Sequence, residues 1–476
     1  MEDQVFVGLD LGTSSLKAIA VGGSGELLAR ASRTYPTKRP EPAAAEQSPA
    51  DWWSALDDVM DELADQVPPS GWCGIGLSAM LPTLVQFDRS AECLEPAVTW
   101  EDSRAEPQAR PLCDMIGDHR IYQVTGQRVD GRYLAPMYRR QQQLGHGGSA
   151  IAGAKDALFQ RLTGALDTDP STAAGFGVFS LDTLEWDPEL VAAAALPGLP
   201  AVLPSRSWRP VLSRWVERWG LPVGLPVVLG GADSVLGAAG MGAVEHGDVV
   251  VIAGTSAVVL GISDTPVRDA QRRYLVTPMA GPGWGLEMDV LAVGSAFGGV
   301  AEMLGLPDPT ALLDLGVQVD PGDAPAFLPY LTPGEQGALW DSTLEGTLHG
   351  LRLGMGAAHI GRALLTGVVI ELRRCIAVLE EATGARGPVM LGGGAAAHPQ
   401  FWQDLADATG RDVLVDRSSG DHSAIGAALL VADAFGVEVP RRTDFHRVRP
   451  DPAKQLWWSQ TADRHDRIRC ALGVLS

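Results

Sequence analysis

The sequence lacks the features that would place it in a membrane or on nucleic acid. No apolar stretch of the 476 residues reaches membrane-spanning length, because Asp, Glu, Arg or Pro interrupts every candidate. Residues 1–15 have no basic segment followed by an apolar run, as a signal peptide would. Lys and Arg form no stripe, and the net charge of −21 disfavours a phosphate backbone as partner. We therefore expect a soluble, cytoplasmic protein with no membrane or nucleic-acid partner.

Cysteine pairs and a P-loop sequence are also missing. The five cysteines include no Cys-x-x-Cys pair and have no His at metal-ligand spacing, which predicts reduced thiols and no structural zinc. No Walker A sequence is present, so an ATP site in this chain would not be of the P-loop kind. The hydrophobic share of 46% excludes wholesale disorder, and the length favours two or three domains.

One short pattern occurs twice, about half a chain apart. Residues 7–17 and residues 248–260 each contain β-forming residues, a Gly-Thr-Ser turn and further β-forming residues. The repetition predicts a duplicated domain. A single such turn is usually an ordinary hairpin turn, but two in equivalent contexts favour a pair of anion-binding turns that grip a polyphosphate from both sides.

Strands and helices alternate in both halves, which predicts an α/β architecture. The boundary between the halves falls near residues 222–230. A long helix reaches about Thr383, and Gly384 is expected to end it. Ser48 and Pro49 are typical of a helix start. The other predicted elements are strands Val5–Asp10, Leu16–Val21, Glu26–Arg33, Gly74–Ser78, Leu225–Gly231 and Val389–Leu391, and helices beginning near Asp233, His398 and Ser423.

Three further positions favour nucleotide chemistry. Asp10 lies inside an apolar strand, where a carboxylate costs several kcal/mol unless it is paired or metal-linked, and it is placed to hold a hydrated Mg²⁺. Asp233 follows a strand and could accept the proton of an attacking alcohol, or could simply cap a helix. The run Gly392 to Gly394 offers bare backbone for adenine or ribose, although glycine runs are also common in loops and close helix packing.

Together these residues resemble a known family. The chain resembles the FGGY carbohydrate kinases of the actin/Hsp70-like ATPase superfamily, and most resembles the xylulokinase and gluconate-kinase branch. The resemblance runs essentially end to end. Its motifs are Gly8 to Ser14, Pro96 to Arg104, Thr168-Asp169, Gly231 to Asp233, Gly254 to Ser256, Leu328 to Leu331 with Gly334-Glu335, Arg362 to Val368, Leu391 to Ala395, and Trp402 to Asp407.

The resemblance implies two RNase H-like domains, residues 1–228 and 229–476, that flank a cleft, with the tail 445–476 packing back on the N-terminal domain. It implies ATP and Mg²⁺ as cosubstrates, a small sugar or polyol as acceptor, and leaves a homodimer open. The implied site residues are Asp233 as catalytic base; Asp10 and Asp233 at the metal; Gly12, Thr13, Ser14, Gly254, Thr255, Ser256, Gly392, Gly393, Gly394 and Ala395 at the nucleotide; and Met80, Leu81, Pro82, Trp100, Asp102, Arg104, Asp233 and Ser234 at the sugar.

The chain departs from the family's usual residues at positions that the resemblance assigns to the sugar. Members similar to xylulokinase usually have Gln-Met-His, and glycerol kinases an Arg-Glu pair, where this chain has Met80-Leu81-Pro82. Many relatives have Asn or Gln where this chain has Ser234. D-xylulose, another ketose, an alditol and an aldonate therefore stay open as substrates.

The motifs disfavour two other classes of protein. A non-catalytic sugar-kinase fold would have lost the base or a phosphate loop, and this chain retains both. A chaperone- or actin-type ATPase would not carry the segment Trp100 to Arg104 followed by Asp233 in this order.

Overall fold

Two mixed sheets of related topology organise the chain. The computed structural model describes residues 4–332, 337–341, 343–417, 420–440 and 445–473. The strands of the first half are β1 (Val5–Leu11), β2 (Ser15–Gly22), β3 (Leu27–Thr34), β4 (Glu46–Gln47), β5 (Trp72–Ala79), β6 (Leu84–Phe87), β7 (Cys93–Val98), β8 (Ala150–Ala152), β9 (Asp167–Thr168), β10 (Phe179–Ser180), β11 (Glu185–Trp186), β12 (Ala201–Val202), β13 (Trp208–Pro210) and β14 (Pro226–Ala232). Those of the second half are β15 (Val249–Ala253), β16 (Ala257–Ser263), β17 (Leu275–Pro278), β18 (Trp284–Val290), β19 (Ala326–Leu328), β20 (Thr347–His349), β21 (Val389–Gly392), β22 (Val413–Val415) and β23 (His446–Val448).

Helices cover and connect the two sheets. They are α1 (Pro49–Gln66), α2 (Glu106–Ile116), α3 (Asp118–Thr125), α4 (Leu134–Gln143), α5 (Ala154–Thr163), α6 (Pro170–Ala174), α7 (Pro188–Ala194), α8 (Ser213–Trp219), α9 (Asp233–Gly240), α10 (Gly294–Met303), α11 (Pro309–Gly316), α12 (Ala357–Thr383), α13 (Pro399–Thr409), α14 (His422–Ala434) and α15 (Gln455–Gly473). In the described part of the chain, no helix combines the length and the apolar character needed to cross a bilayer.

The same core arrangement occurs in both sheets. The first sheet has the order β13-β14-β5-β1-β2-β3, and the second has the order β17-β18-β16-β15-β21-β22-β23. In each sheet an antiparallel hairpin, β1-β2 or β15-β16, leads into two strands that run parallel to its first strand. The predicted duplication and the α/β class are therefore confirmed.

The sequence signals for helix ends have mixed outcomes. Helix α12 ends at Gly384, which adopts the left-handed conformation with φ 69°, as predicted. Ser48 stands at the N-cap of α1, but its hydroxyl donates to Glu95 Oε1 at 2.6 Å and makes no capping bond. Asp233 is the first residue of α9, and Ala232 occupies the N-cap, so Asp233 is not the cap that the alternative reading allowed.

Helices α9 and α14 join the halves. Both belong to the second half of the sequence, yet α14 packs against β1 and β5 of the first sheet as well as against α9. The approach is close, because a Cβ atom at Gly8 would lie 1.9 Å from the carbonyl oxygen of Ala424. One apolar core, which includes Phe6, Val228 and Val250, runs through this junction. The division at residues 228 and 229 stays a prediction.

The tail lies on the second half, and the expectation that it packs on the N-terminal domain is wrong. Strand β23 pairs with β22 at the edge of the second sheet, and α15 contacts α13 and β19. Trp458 and Ala462 are buried in the core of that half, so apolar burial fixes the tail there. The motif residues Gly334 and Glu335 lie outside the described residues.

Candidate active site

The two Gly-Thr-Ser turns occupy equivalent places in their sheets. The first connects β1 to β2 after the pair Leu11 and Leu16, and the second connects β15 to β16 after the pair Ala253 and Ala257. Each turn is closed by the amide of its glycine, since Gly12 N donates to Ser15 O at 3.0 Å and Gly254 N donates to Ser256 O at 2.7 Å. Both turns are at least partly exposed.

Contacts from the first half hold the carbonyl side of the first turn. Gln47 Nε2 donates to Thr13 O at 2.6 Å, and the hydroxyl of Tyr35 donates to Gly12 O. Trp100 Nε1 donates to Thr13 Oγ1 at 3.0 Å. The amides of Thr13 and Ser14 have no hydrogen-bond acceptor among the described residues. These N–H groups are therefore available to an anion.

Residues at the start of α10 hold the second turn in the same way. Thr255 O accepts from the amides of Val293 and Ser295, both at 3.1 Å, and from Ser295 Oγ at 3.0 Å. No acceptor for the amides of Thr255 and Ser256 is found in the ranges that the structure describes. The geometry of the two turns thus fits the phosphate role that the sequence predicts, and that role stays a prediction.

Asp10 lies at the end of β1, at the same edge of the sheet as the first turn. Its carboxylate accepts a 2.9 Å hydrogen bond from Ser78 Oγ on the parallel strand β5. Burial raises the pKa of Asp10, while this hydrogen bond and the charge of Lys17 oppose the shift. Lys17 itself is paired with Asp421 at 3.5 Å. The carboxylate is therefore only partly compensated by protein groups.

Asp233 follows β14, which is parallel to β5 and ends at the same edge. Its side chain is partly exposed, and its backbone oxygen accepts from Ser423 Oγ of α14 at 2.9 Å. Burial, with further contributions from the charges of Asp10 and Asp289, raises the pKa of Asp233 to about 8. The predicted metal and base residues thus lie at the same edge of the sheet, at the carboxyl ends of β1 and β14, the two strands that flank β5.

Two carboxylates that the sequence analysis missed complete this acidic group. Glu287 and Asp289 are partly exposed at alternate positions of β18, so they share one face of the sheet. Glu287 Oε2 accepts from Ser234 Oγ at 2.9 Å. Burial and mutual repulsion raise the pKa of Glu287, and burial raises that of Asp289, against which the charge of Arg132 acts. Arg132 is also paired with Asp130. Acidic residues at alternate positions of an otherwise apolar strand were the available sequence signal.

The glycine run follows β21, beside the second turn. Gly392 is paired with Ile252 of β15, so the run lies next to the strand that enters the turn. Gly393 has φ 96°, and a Cβ atom there would lie 2.3 Å from Ala253 O, which requires glycine. A Cβ atom at Gly394 would meet nothing within 4 Å. Together with Ala395, which is partly exposed, the run offers open backbone to a ligand.

The segment Trp100 to Arg104 makes mainly structural contacts. Trp100 supports the first turn, as described above. Asp102 Oδ2 accepts from the amide of Ala45 at 3.0 Å and pairs with Arg104 at 2.6 Å. Arg104 also pairs with Glu41 and Glu46. These bonds fix residues 41–46, and the described residues contain no hydrogen bond from Asp102 or Arg104 to Asp233 or Ser234. Their predicted place near the sugar stays a prediction.

The segment that follows β5 is apolar and partly exposed. Met80 is buried in the core of the first half, whereas Leu81 and Pro82 are partly exposed. A Cβ atom at Gly175 would lie 3.5 Å from both Leu81 Cδ1 and Pro82 Cβ, which places this pair beside the end of α6. Of the three residues that the resemblance assigns to the sugar here, only Leu81 and Pro82 are therefore accessible.

The acidic donors suit a hard cation that brings its own remaining ligands. The described residues contain no group of three or more His, Cys, Asp or Glu side chains arranged to hold a metal. Mg²⁺ commonly uses one or two carboxylates and completes its shell with waters and phosphate oxygens. Asp10 and Asp233 fit that requirement, because a cation between them would relieve the repulsion that raises the pKa of Asp233.

Known proteins are similar to this chain over most of its length. The models of the FGGY family of carbohydrate kinases match residues 5–240 (N-terminal domain) and residues 249–435 (C-terminal domain). A xylulose kinase from Klebsiella pneumoniae is 30% identical over 449 residues, which are 92% of this chain and 91% of that protein. A gluconokinase from Bacillus subtilis (strain 168) is 26% identical over 454 residues, 90% of this chain and 88% of that protein.

The fold has the same relatives. The crystal structure of a xylulose kinase from Rhodospirillum rubrum is 26% identical and superimposes with a TM-score of 0.90 over 99% of both chains. The two-domain arrangement is that of the actin/Hsp70-like ATPases, as the resemblance implied. The protein therefore belongs to the FGGY family of carbohydrate kinases, which makes it a phosphotransferase with an alcohol group of a carbohydrate as acceptor.

Proposed function

We propose that the protein transfers the γ-phosphoryl group of ATP to a hydroxyl of a neutral open-chain ketose, most simply a ketopentose such as D-xylulose. The observation that carries the proposal is the position of Asp233, at the sheet edge that also bears Asp10 and the first Gly-Thr-Ser turn. A pKa raised to about 8 makes Asp233 a proton acceptor matched to an alcohol that is losing its proton in the transition state.

The residues of the site have distinct parts in the transfer, and Asp233 has two. Asp233 takes the proton of the acceptor hydroxyl while that oxygen forms a bond to the γ-phosphorus, and the bond to the bridging oxygen breaks to release ADP. The amides of the two turns hold the phosphates from opposite sides, and Gly392 to Ala395 hold the adenosine. Asp10 and Asp233 would hold Mg²⁺, which neutralises phosphate charge.

The charge of the acceptor side favours a neutral substrate. Asp233, Glu287 and Asp289 lie together there, and the guanidinium that faces Asp289, that of Arg132, is also paired with Asp130. An aldonate would bring a further carboxylate into this acidic group, and like charges at short range oppose binding. The apolar pair Leu81 and Pro82 adds no donor. A ketose or an alditol meets no such repulsion.

A substrate panel tests the proposal. ADP release should be measured with D-xylulose, D-ribulose, xylitol, glycerol and D-gluconate. We expect the highest kcat/KM with a neutral ketopentose, and differences of about 10–200-fold among neutral analogues, because apolar walls discriminate weakly. A preference for D-gluconate would refute the neutral class and leave the kinase reaction intact.

The same ADP-release assay tests the role of Asp233 as the general base. Asp233→Asn should lower kcat by about 10²–10⁴-fold, the usual contribution of a positioned general base. Asp65→Asn, on the exposed end of α1, is the matched control and should leave turnover unchanged. Turnover near that of the wild type in Asp233→Asn would show that another group accepts the proton.

A further inference from the structure

A fully buried polar cluster lies behind the strand end that carries Asp233. Lys155, Asp156 and Asp169 are each at most 1% exposed. Lys155 Nζ lies 2.8 Å from Asp156 Oδ1 and 3.3 Å from Asp169 Oδ1. Buried charges are costly unless they are paired and hydrogen-bonded, and a well-packed apolar cluster is often at least as stable. The cluster therefore calls for a role other than stability.

Asp169 orients one particular hydroxyl group. It caps α6, and its carboxylate accepts from the amide of Ser171 at 2.9 Å, from Thr172 Oγ1 at 2.6 Å and from Ser205 Oγ at 3.2 Å. It also accepts from Ser171 Oγ. Because the hydroxyl proton of Ser171 is committed to Asp169, the lone pairs of Ser171 Oγ are turned towards other donors.

The donor that reaches Ser171 Oγ is the amide of Ala232, at 2.9 Å. Ala232 is the last residue of β14, and Asp233 follows it directly. This strand end is irregular, since the register with β5 shifts between Val228 and Gly231 and Gly230 has φ 80°. Ladder bonds alone do not fix the direction of a bulged strand end. Contacts from outside the ladder contribute to this direction, among them those of two amides: Gly230 N donates to Ser205 O at 2.9 Å, and Ala232 N donates to Ser171 Oγ.

The geometry points to Ser171 as a positioning residue for phosphoryl transfer, whose hydroxyl, oriented by Asp169 and Lys155, holds the Ala232 amide and thereby holds the Asp233 carboxylate against the acceptor hydroxyl. This inference rests on the proposed role of Asp233 as base. It also gives a function to the Thr168-Asp169 motif, which neither the nucleotide nor the sugar accounts for.

Substitutions of Ser171 separate positioning from binding. Ser171→Ala removes the acceptor, and Ser171→Cys keeps the volume with a much weaker one. Both should lower kcat by about 10–100-fold, because a displacement of about 1 Å can cost that much. The KM values for sugar and ATP should stay nearly unchanged, and Ser171→Thr, which keeps the hydroxyl, should restore kcat.

A matched control is available on a remote strand. Ser263 is also fully buried, and its hydroxyl accepts from the amide of Thr265 at 3.3 Å at the end of β16. Ser263→Ala should change Tm by about as much as Ser171→Ala does, but it should leave kcat unchanged. Equal loss of kcat in Ser263→Ala and Ser171→Ala would overturn the inference, as would a fall confined to KM or a failure of Ser171→Thr to restore kcat.

A double-mutant cycle tests whether Ser171 acts through Asp233. In the Asp233→Asn background, Ser171→Cys should cause no further loss of kcat, because residues that act as a unit are strongly non-additive. If the two losses multiply while Asp233→Asn alone is strongly impaired, the positioning role fails and the proposed function stands. If Asp233→Asn alone keeps its turnover, the base assignment fails, and the positioning role fails with it.

Discussion

At the scale of single residues, the candidate site contains more carboxylates than the protein's own cations and hydrogen-bond donors can neutralise. Asp10, Asp233, Glu287 and Asp289 all have raised pKa values, with burial as the first cause in each. Carboxylates whose pKa values are perturbed in this way concentrate at functional sites. A bound cation, and a proton accepted from the substrate alcohol, would therefore neutralise the carboxylate charge that the protein leaves uncompensated.

The raised pKa of Asp233 predicts a dependence of stability on pH. An Asp with an unfolded pKa near 3.8 and a folded pKa of about 8 binds more protons when folded, so its ionisation lowers the free energy of unfolding progressively as pH rises from about 4 to about 8. Asp233→Asn removes that loss. In metal-free buffer with chelator, the Tm of the variant should exceed that of the wild type by about 1 °C at pH 9, equivalent to about 1 kcal/mol for a chain of this length, and by less at pH 5.

Differential scanning calorimetry across this pH range gives the measurement. Asp65→Asn should follow the wild type at every pH, since the residue is exposed. A Tm difference between Asp233→Asn and the wild type that is constant with pH, or that shrinks as pH rises, would contradict the raised pKa.

Substitution of Asp10 should weaken the binding of the metal and leave the binding of the sugar unchanged. Asp10→Ala should raise the Mg²⁺ concentration needed for half-maximal activity by about 10–100-fold, a range typical of disturbed metal sites. Calorimetric titration with the best sugar, in the absence of nucleotide, should give an affinity close to that of the wild type. Asp10→Asn, which keeps the size and a hydrogen-bond acceptor for Ser78, is the conservative control. A parallel loss of sugar affinity would place Asp10 at the sugar instead.

Sequence patterns predicted the site residues that neighbour a turn and missed those that only the fold brings together. Asp10, Asp233 and both Gly-Thr-Ser turns can be recognised from the residues next to them in the sequence. Glu287 and Asp289 approach Asp233 through the pairing of β18 with β16, between strands more than twenty residues apart in sequence, and no local pattern encodes that pairing. Ser171 and Ala232 are likewise distant in sequence and meet only in the folded chain.

At the scale of elements, the contact between α14 and β1 depends on small residues. The Cβ atom of an alanine at position 8 would lie 1.9 Å from Ala424 O and 2.9 Å from Ala428 N. Both are backbone atoms, so a side chain cannot rotate away and the helix itself must shift. Gly8→Ala should therefore lower the free energy of unfolding by about 1–3 kcal/mol or more. It should also reduce activity, because Asp10 lies two residues further along β1.

Urea unfolding of Gly8→Ala and of Gly299→Ala gives a matched comparison. Gly299 lies within α10, and a Cβ atom there would meet nothing within 4 Å. Gly299→Ala should be neutral or more stable than the wild type by about 0.5–1 kcal/mol, because it lowers the entropy of the unfolded chain. Comparable effects of the two substitutions would mean that the close approach is not a determinant of stability.

Several elements of the two central sheets follow from periodicity and from helix or turn signals. The meander β1-β2-β3, the strands β5, β14 and β21, and the end of α12 lie within one or two residues of prediction. The packing of α15 on the second half could not be predicted from the sequence, because a terminal helix carries no sequence signal for the domain on which it packs. Ser48 shows a similar limit, since Glu95 is a competing acceptor that only the fold supplies.

At the scale of the whole molecule, the two halves share a core. The cluster at their junction includes Phe6 and Ile19 of the first sheet together with Leu236 and Ala427 from the second half of the sequence. Interfaces between domains of one chain are usually more polar than a core. Because the halves share an apolar cluster, we expect that a division of the sequence at residue 228 does not give two units that fold alone.

This shared core predicts how the separated halves behave. A fragment of residues 1–228 lacks α9 and α14, so the face of β1 and β5 that α14 covers would be exposed to water. We expect the fragment to show no cooperative thermal transition and to bind a hydrophobic dye. When it is co-expressed with a fragment of residues 229–476, the two should associate and regain phosphoryl transfer, because the full set of core contacts is restored. Calorimetry and size-exclusion chromatography of each fragment and of the pair give the measurement. A fragment of residues 1–228 that is monomeric, unfolds cooperatively and excludes the dye would show that the first half folds independently and that α14 is only docked on it.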